Sequence, residues 1–256
     1  MVTLGRFTIV KEDTPIQFSG KVQRKPLELL KAIISLGGID VPEDQVTDLF
    51  WSDTEGDLAH QNFETTLHRL RRLIGNDAVI KRHGRQLTID ARYCWVDIWA
   101  FERLAKHIEG NEEIPGTPPT DPSLHPITLS QAEIMRLAEK VIDVYRGHFL
   151  PADTSCLWTF SLRERLRNRF IRVILLLGGY LEREEQWRKV MELYESAIGI
   201  DDLAEEFYLH LVVCYHRFGQ QTEAVKVYRR LQAVLSATFG IEPSPSTQAI
   251  FKKLFS

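Results

Sequence analysis

The sequence predicts a mainly α chain in two parts: an N-terminal α+β domain of small sheets and three helices over residues 1–95, then an all-α helical-repeat domain over residues 96–256. Three observations predict it. Between His60 and Ile74, Phe63, Leu67, Leu70 and Ile74 fall on one stripe at helical spacing, while Gln61, Thr65, His68, Arg69 and Arg72 point the other way. Directly downstream, Val79 to Ile89 reads as two short strands hinged on Gly84, with Lys81, Arg82, His83 and Arg85 at the tip. An amphipathic helix followed by a basic hairpin is the pattern of a winged helix. Finally, strand signals vanish after Val96, and a shift of thirty-four residues pairs Leu175 with Leu209, Leu177 with Leu211, Leu181 with Tyr215, Gln186 with Gln220, Val190 with Ala224 and Tyr194 with Tyr228. Thirty-four is the tetratricopeptide (TPR) period.

Taken in order, Thr3 to Val10 and Ile16 to Phe18 alternate like strands about a turn containing Asp13 and Pro15. Pro26 opens a first helix with Leu27, Leu30, Ile33 and Ile34 on one face, stopped by Gly37 and Gly38. Pro42 and Glu43 open a second, with Val46, Leu49 and Phe50 inward and Trp51 in the core. The helix carrying Arg69 is the third, and the hairpin closes the domain. Beyond it, Trp99, Phe101 and Leu104 lie on one helix. Five prolines between Gly110 and Pro126 then exclude helix. That stretch reads as a loop inside the second domain, with an interdomain linker as the alternative. The thirty-four-residue units are helix pairs that must stack to cover their apolar faces, capped by helices from Ser130 to His148 and from Ser246 to Phe255. A plain helical bundle is the alternative.

Charge narrows the function. A net charge of -3 argues against nonspecific coating of nucleic acid, so any DNA binding must rest on local charge. Residues 60–92 hold seven cations against three acids, whereas residues 40–59 hold seven acids and no Lys or Arg. On the third helix, Arg69 and Arg72 are candidates for guanine edges or phosphates, and Gln61, Thr65 and His68 for further major-groove contacts. Arg71 lies at the flank. At the hairpin, Arg82, His83 and Arg85, supported by Lys81, would reach phosphates or the minor groove. The acidic run must face away from a duplex, and the loop from Trp51 to Ala59 suits a basic surface on RNA polymerase.

Other chemistry is unsupported. There is no Gly-x-Gly-x-x-Gly, no phosphate loop, no His-Glu-x-x-His and no Gly-x-Ser-x-Gly, and nothing calls for a metal or other cofactor. An enzyme is not expected. Cys94, Cys156 and Cys214 give no disulfide framework and read as buried free thiols. No apolar run is long enough to span a bilayer and no signal peptide opens the chain, which places it in the cytoplasm.

These features together resemble the Streptomyces antibiotic regulatory protein (SARP) type of activator, an OmpR-type winged helix joined to a bacterial transcriptional activator domain. The resemblance rests on Asp48-Leu49-Phe50-Trp51, the stretch from His68 to Leu73, that from Val96 to Leu104, Tyr145 to Leu150, Tyr228 to Leu231, and Phe239-Gly240-Ile241-Glu242-Pro243-Ser244. It implies a sequence-specific activator that binds promoter repeats on double-stranded DNA, often as two protomers, and recruits RNA polymerase. The wing here reads Gly84-Arg85-Gln86-Leu87 where the family usually has a Gly-Tyr phrase, and the first hundred residues carry thirteen positive and fourteen negative side chains. The acidic run and the missing Gly-Tyr favour an alternative: a TPR-like protein-interaction adaptor whose winged helix no longer binds DNA.

Overall fold

The computed structural model describes residues 1–16, 24–110 and 130–255. It has two compact units, one of Met1–Asp97 with Phe149–Glu164, the other of Ile98–His148 with Arg165–Ser256. The first break falls two residues beyond the expected boundary. Residues 149–164, expected among the helical repeats, pack instead in the first unit.

In that unit β1 (Val10–Lys11) and β2 (Thr14–Pro15) form an antiparallel hairpin. Glu12 and Asp13, at φ 49° and 59°, make its two-residue turn, because a primed turn matches the strands' twist. Pro15 is therefore not in the turn but opposite Val10, and the expected strand end at Phe18 lies outside the described residues. Helix α1 (Arg24–Ser35) buries Leu29, Leu30, Ala32, Ile33 and Ile34, leaving Leu27 half-buried. It ends where the N–H groups of Gly37 and Gly38 bond back to Ile34 O and Ile33 O, both glycines at positive φ.

β3 (Val41–Pro42), α2 (Glu43–Trp51), α3 (Gly56–Ile74), a 3-10 turn (Asp77–Val79), β4 (Ile80–His83) and β5 (Gln86–Ile89) complete a winged helix. The sheet order is β3-β5-β4, all antiparallel. On α2, Val46 and Trp51 are buried, but Leu49 is exposed and Phe50 half-buried, so the inward face is narrower than its spacing suggested. The returning segment seals this unit: Leu4 bridges Phe149, Leu150 N–H donates to Thr3 O at 2.9 Å, and Lys31 pairs with Asp153 at 2.7 Å. The Arg163 guanidinium donates to Phe149 O and Leu150 O, both at 2.8 Å.

The second unit is helical: α4 (Asp97–Glu109, its first residue counted in the first unit), α5 (Gln131–Val144), α6 (Leu157–Arg183, here from Arg165), α7 (Trp187–Ile200), α8 (Glu205–Arg217), α9 (Gln221–Phe239) and α10 (Pro245–Phe255). The proline-rich stretch from residue 111 lies outside the described residues; α4 and α5, on either side of it, share this unit. The thirty-four-residue offset is geometric as well as sequential. Glu185 and Gly219 occupy the same left-handed turn position, at φ 53° and 80°, and the next N–H groups, Gln186 and Gln220, donate to Leu181 O and Tyr215 O. This is one Schellman turn built twice, between α6 and α7 and between α8 and α9. Gly178 has a packing reason to lack a side chain, since a Cβ there would collide with the Tyr194 hydroxyl. An aromatic ladder fills the core, with ring centroids of Phe101 and Tyr145 at 4.9 Å, Tyr145 and Phe170 at 4.2 Å, and Phe170 and Phe207 at 5.9 Å. Helix α5 begins with a capping box between Ser130 and Glu133. At the other end, the Glu205 carboxylate accepts from Ser244 N–H and from the Ser244 and Thr247 hydroxyls, fixing the entry to α10.

Among the described residues no helix is long and apolar enough to cross a membrane, and no group of three His, Cys, Asp or Glu is placed to hold a metal ion. All three cysteines are free, and only Cys214 is fully buried; Cys94 and Cys156 are half-buried.

Candidate nucleic-acid interface

Helix α3 has the two faces its sequence requires. Phe63, Leu67 and Leu70 are at most 1% exposed and Ile74 is buried, which seats the helix on the core. Gln61, Thr65, His68, Arg69 and Arg72 are all exposed, and at helical spacing they share an arc of about 100°. The side chains of Gln61, His68, Arg69 and Arg72 make no hydrogen bond or ion pair among the described residues. Thr65 Oγ1 donates to Gln61 O at 2.9 Å, which leaves the oxygen's lone pairs facing outward. Two guanidinium groups, an imidazole, an amide and a hydroxyl are thus presented together. One residue of this face was not anticipated: Leu58, 51% exposed in the first turn of α3, which starts four residues before His60.

The wing is arranged differently from its arginine-rich sequence. Its two-residue turn has Gly84 at φ 58° in first position, leaving Arg85 second. Lys81 pairs with Asp90 at 2.8 Å and Arg85 with Asp44 at 2.7 Å. Arg82 reaches Glu43 at 2.6 Å and Glu64 at 2.6 Å, so its single charge faces two carboxylates, one of them only 2% exposed. These three cations brace β4 and β5 against α2, α3 and the strand end. His83 is exposed and unpaired among the described residues. Arg71, expected at the flank, also turns inward, donating from Nε and Nη2 to Ile80 O at 3.2 and 2.9 Å and tying α3 to the wing. The acceptors lie far away in sequence, 39 residues for Glu43 and 41 for Asp44, so no local pattern announced them. Hydrogen bonds from Arg92, then Lys81, hold the Asp90 carboxyl well below the usual carboxylate range.

Six members of the acidic run, Asp40, Asp44, Asp48, Asp53, Glu55 and Asp57, are exposed; Glu43 is the buried exception. A surface cleft of about 710 Å³ lies on this side, lined by Asp44, Asp48, Trp51, Asp57 and His60 together with Arg82 and Arg85. The unit therefore carries opposite charge at its two ends: unpaired arginines late in α3, carboxylates on α2 and at the start of α3. The loop between α2 and α3 is shorter than expected, since α3 already begins at Gly56.

A winged helix with an uncommitted cationic face, in a chain whose remainder is largely helical, is an architecture consistent with a SARP-type regulator. Residues 129–255 match the family model of the bacterial transcriptional activator domain. Among solved structures the chain is similar to EmbR of Mycobacterium tuberculosis, determined in complex with a low-affinity phosphopeptide, at a TM-score of 0.66 and 15% identity. The similarity covers 99% of this chain and 64% of the EmbR chain, so the present chain spans less than two thirds of it. At that identity the likeness is one of fold: a winged helix followed by a helical domain. No curated protein sequence matched the chain.

Proposed function

We propose that the chain is a sequence-specific DNA-binding transcriptional activator that acts by recognition and recruitment, with no chemical step of its own. The observation that carries this reading is the pair Arg69 and Arg72, exposed on α3 and without an acceptor among the described residues. An unpaired guanidinium on a helix face can form the bidentate bond to guanine O6 and N7, or grip phosphate. Gln61, Thr65 and His68 add the adenine-reading and groove-contacting groups. At the wing, His83 is free to contact the duplex, while Lys81, Arg82 and Arg85 lend rigidity more than charge. The exposed carboxylates of α2 and the cleft beside them suit a basic surface of RNA polymerase. The helical repeats suit a homodimer contact on tandem DNA sites, in the cytoplasm.

A second reading, the adaptor whose winged helix no longer binds DNA, is favoured by the wing's internally neutralised cations. Fluorescence anisotropy with duplex selected by the full chain separates the two. An activator binds its selected site more tightly than random duplex and loses affinity with salt; an adaptor shows neither behaviour.

A further inference from the structure

The geometry points to Leu58 as a specificity-determining residue that contacts the 5-methyl group of a thymine in the major groove; this deepens the DNA-binding reading and rests on it. Leu58 is a large apolar side chain left 51% exposed on a helix face that is otherwise polar. Its place in the row is informative. Leu58, Gln61, Thr65, Arg69 and Arg72 follow at spacings of three, four, four and three residues, one line along the exposed side of α3. At 1.5 Å per residue, neighbours on this line are about 4.5–6 Å apart, a little more than the ~3.4 Å between stacked base pairs. A helix lying in the groove therefore presents them to successive or near-successive steps.

The order of chemistries along that line is a template for base edges. The major-groove floor offers one apolar group, the thymine methyl, and it is matched by an apolar side chain. An amide at Gln61 suits adenine N6 and N7, and guanidinium groups at Arg69 and Arg72 suit guanine. The expected site is thus richer in A·T pairs under the start of α3 and has guanine toward its end. Asp57 is exposed beside Leu58, so this turn has no phosphate-gripping role. Its contribution to affinity comes from the groove floor.

The test uses the full chain and a site selected from random duplex. Each thymine in that site is replaced singly by deoxyuridine, which removes the methyl and leaves every hydrogen-bonding group in place. The parent chain is expected to lose about fourfold in affinity at one thymine, the worth of one buried methyl group. Leu58→Ala should bind the unmodified site about as weakly and show no further loss at that deoxyuridine. Thermal unfolding of Leu58→Ala should stay close to the parent, because about half of the side chain is already exposed to solvent and alanine favours the helix. If the parent binds all the deoxyuridine sites equally, or Leu58→Ala keeps the parent's affinity or its sensitivity to deoxyuridine, the assignment of Leu58 is overturned while DNA recognition stands. If no site is preferred over random duplex, the DNA reading itself fails and this assignment with it.

Discussion

Replacing Arg82 with alanine asks whether the wing's arginine serves the protein or the nucleic acid. In the parent its guanidinium meets Glu43 at 2.6 Å and Glu64 at 2.6 Å, and the Glu43 side chain is 2% exposed while that of Arg82 is 31% exposed. Removing one partner of a buried ion pair costs about 3–5 kcal/mol, chiefly by stranding the other charge. Solvent reaches part of this pair, and Glu43 also sits favourably at the start of α2, so about 2–3 kcal/mol is the better expectation. The loss should be local to the sheet and α2. Native-state hydrogen exchange reads it at the Glu43 amide, which donates to Arg85 O at 2.9 Å, and at the Ile89 amide, which donates to Gly38 O at 2.7 Å. Both amides should exchange roughly 30- to 150-fold faster. The dependence of DNA affinity on salt should barely change, since Arg82 has no spare charge to release counterions from phosphate. Unchanged exchange, together with a salt slope flatter by about 0.9, the contribution of one phosphate contact, would refute the reasoning and return Arg82 to the DNA surface.

Four further outcomes are expected. Per protomer, the slope of log affinity against log salt should be no steeper than about -2, the limit if Arg69 and Arg72 both reach phosphate, rather than near about -4.5 for those two with Lys81, Arg82 and Arg85; salt titration of anisotropy decides between them. Arg69→Ala should cost about 1–3 kcal/mol on the selected site and relax the preference at one base pair, measured by competition with single-base variants. Gly178→Ala should destabilise the helical unit by about 1–3 kcal/mol despite alanine's better helix propensity, because Tyr194 must move and give up its 3.0 Å hydrogen bond to Glu182; chemical denaturation followed by circular dichroism measures it. Partial burial works to raise the Glu205 carboxyl, but the bonds from Ser244 and Thr247 outweigh it and the pKa is lowered. A depressed folded-state pKa gives stability that is complete above the unfolded value, about 4.3, and lost as pH falls through the folded value. Protection of α10 amides should therefore fade in acid below that range, and Glu205→Gln should remove the pH dependence.

Periodic features were legible from residues alone because a local rule creates them. The α3 stripe of Phe63, Leu67, Leu70 and Ile74, the Gly84 turn and the match of Gln186 with Gln220 all follow from helix pitch, turn sterics or repeat length. Within the site, the same rule placed Gln61, Thr65, His68, Arg69 and Arg72 outward together. What escaped depends on distant parts of the chain. A basic hairpin tip looks available until Glu43, Glu64 and Asp44 arrive from other elements, and a return of Phe149 to Leu4 has no local signature at all. Leu58 was missed for another reason: the helical pattern was read only from His60, which left Leu58 in the preceding loop, whereas α3 begins at Gly56.

The excursion of residues 149–164 into the first unit bears on how such a protein can be divided. A fragment ending at Asp97 would lack the bridge partner of Leu4, the counterion of Lys31 and the acceptor of the Ser35 hydroxyl, Trp158 O. The winged helix is therefore no detachable cassette. A truncation placed after Asp97 would remove residues 149–164 from the first unit, so a fragment meant to carry the winged helix alone would be left with an unfinished surface.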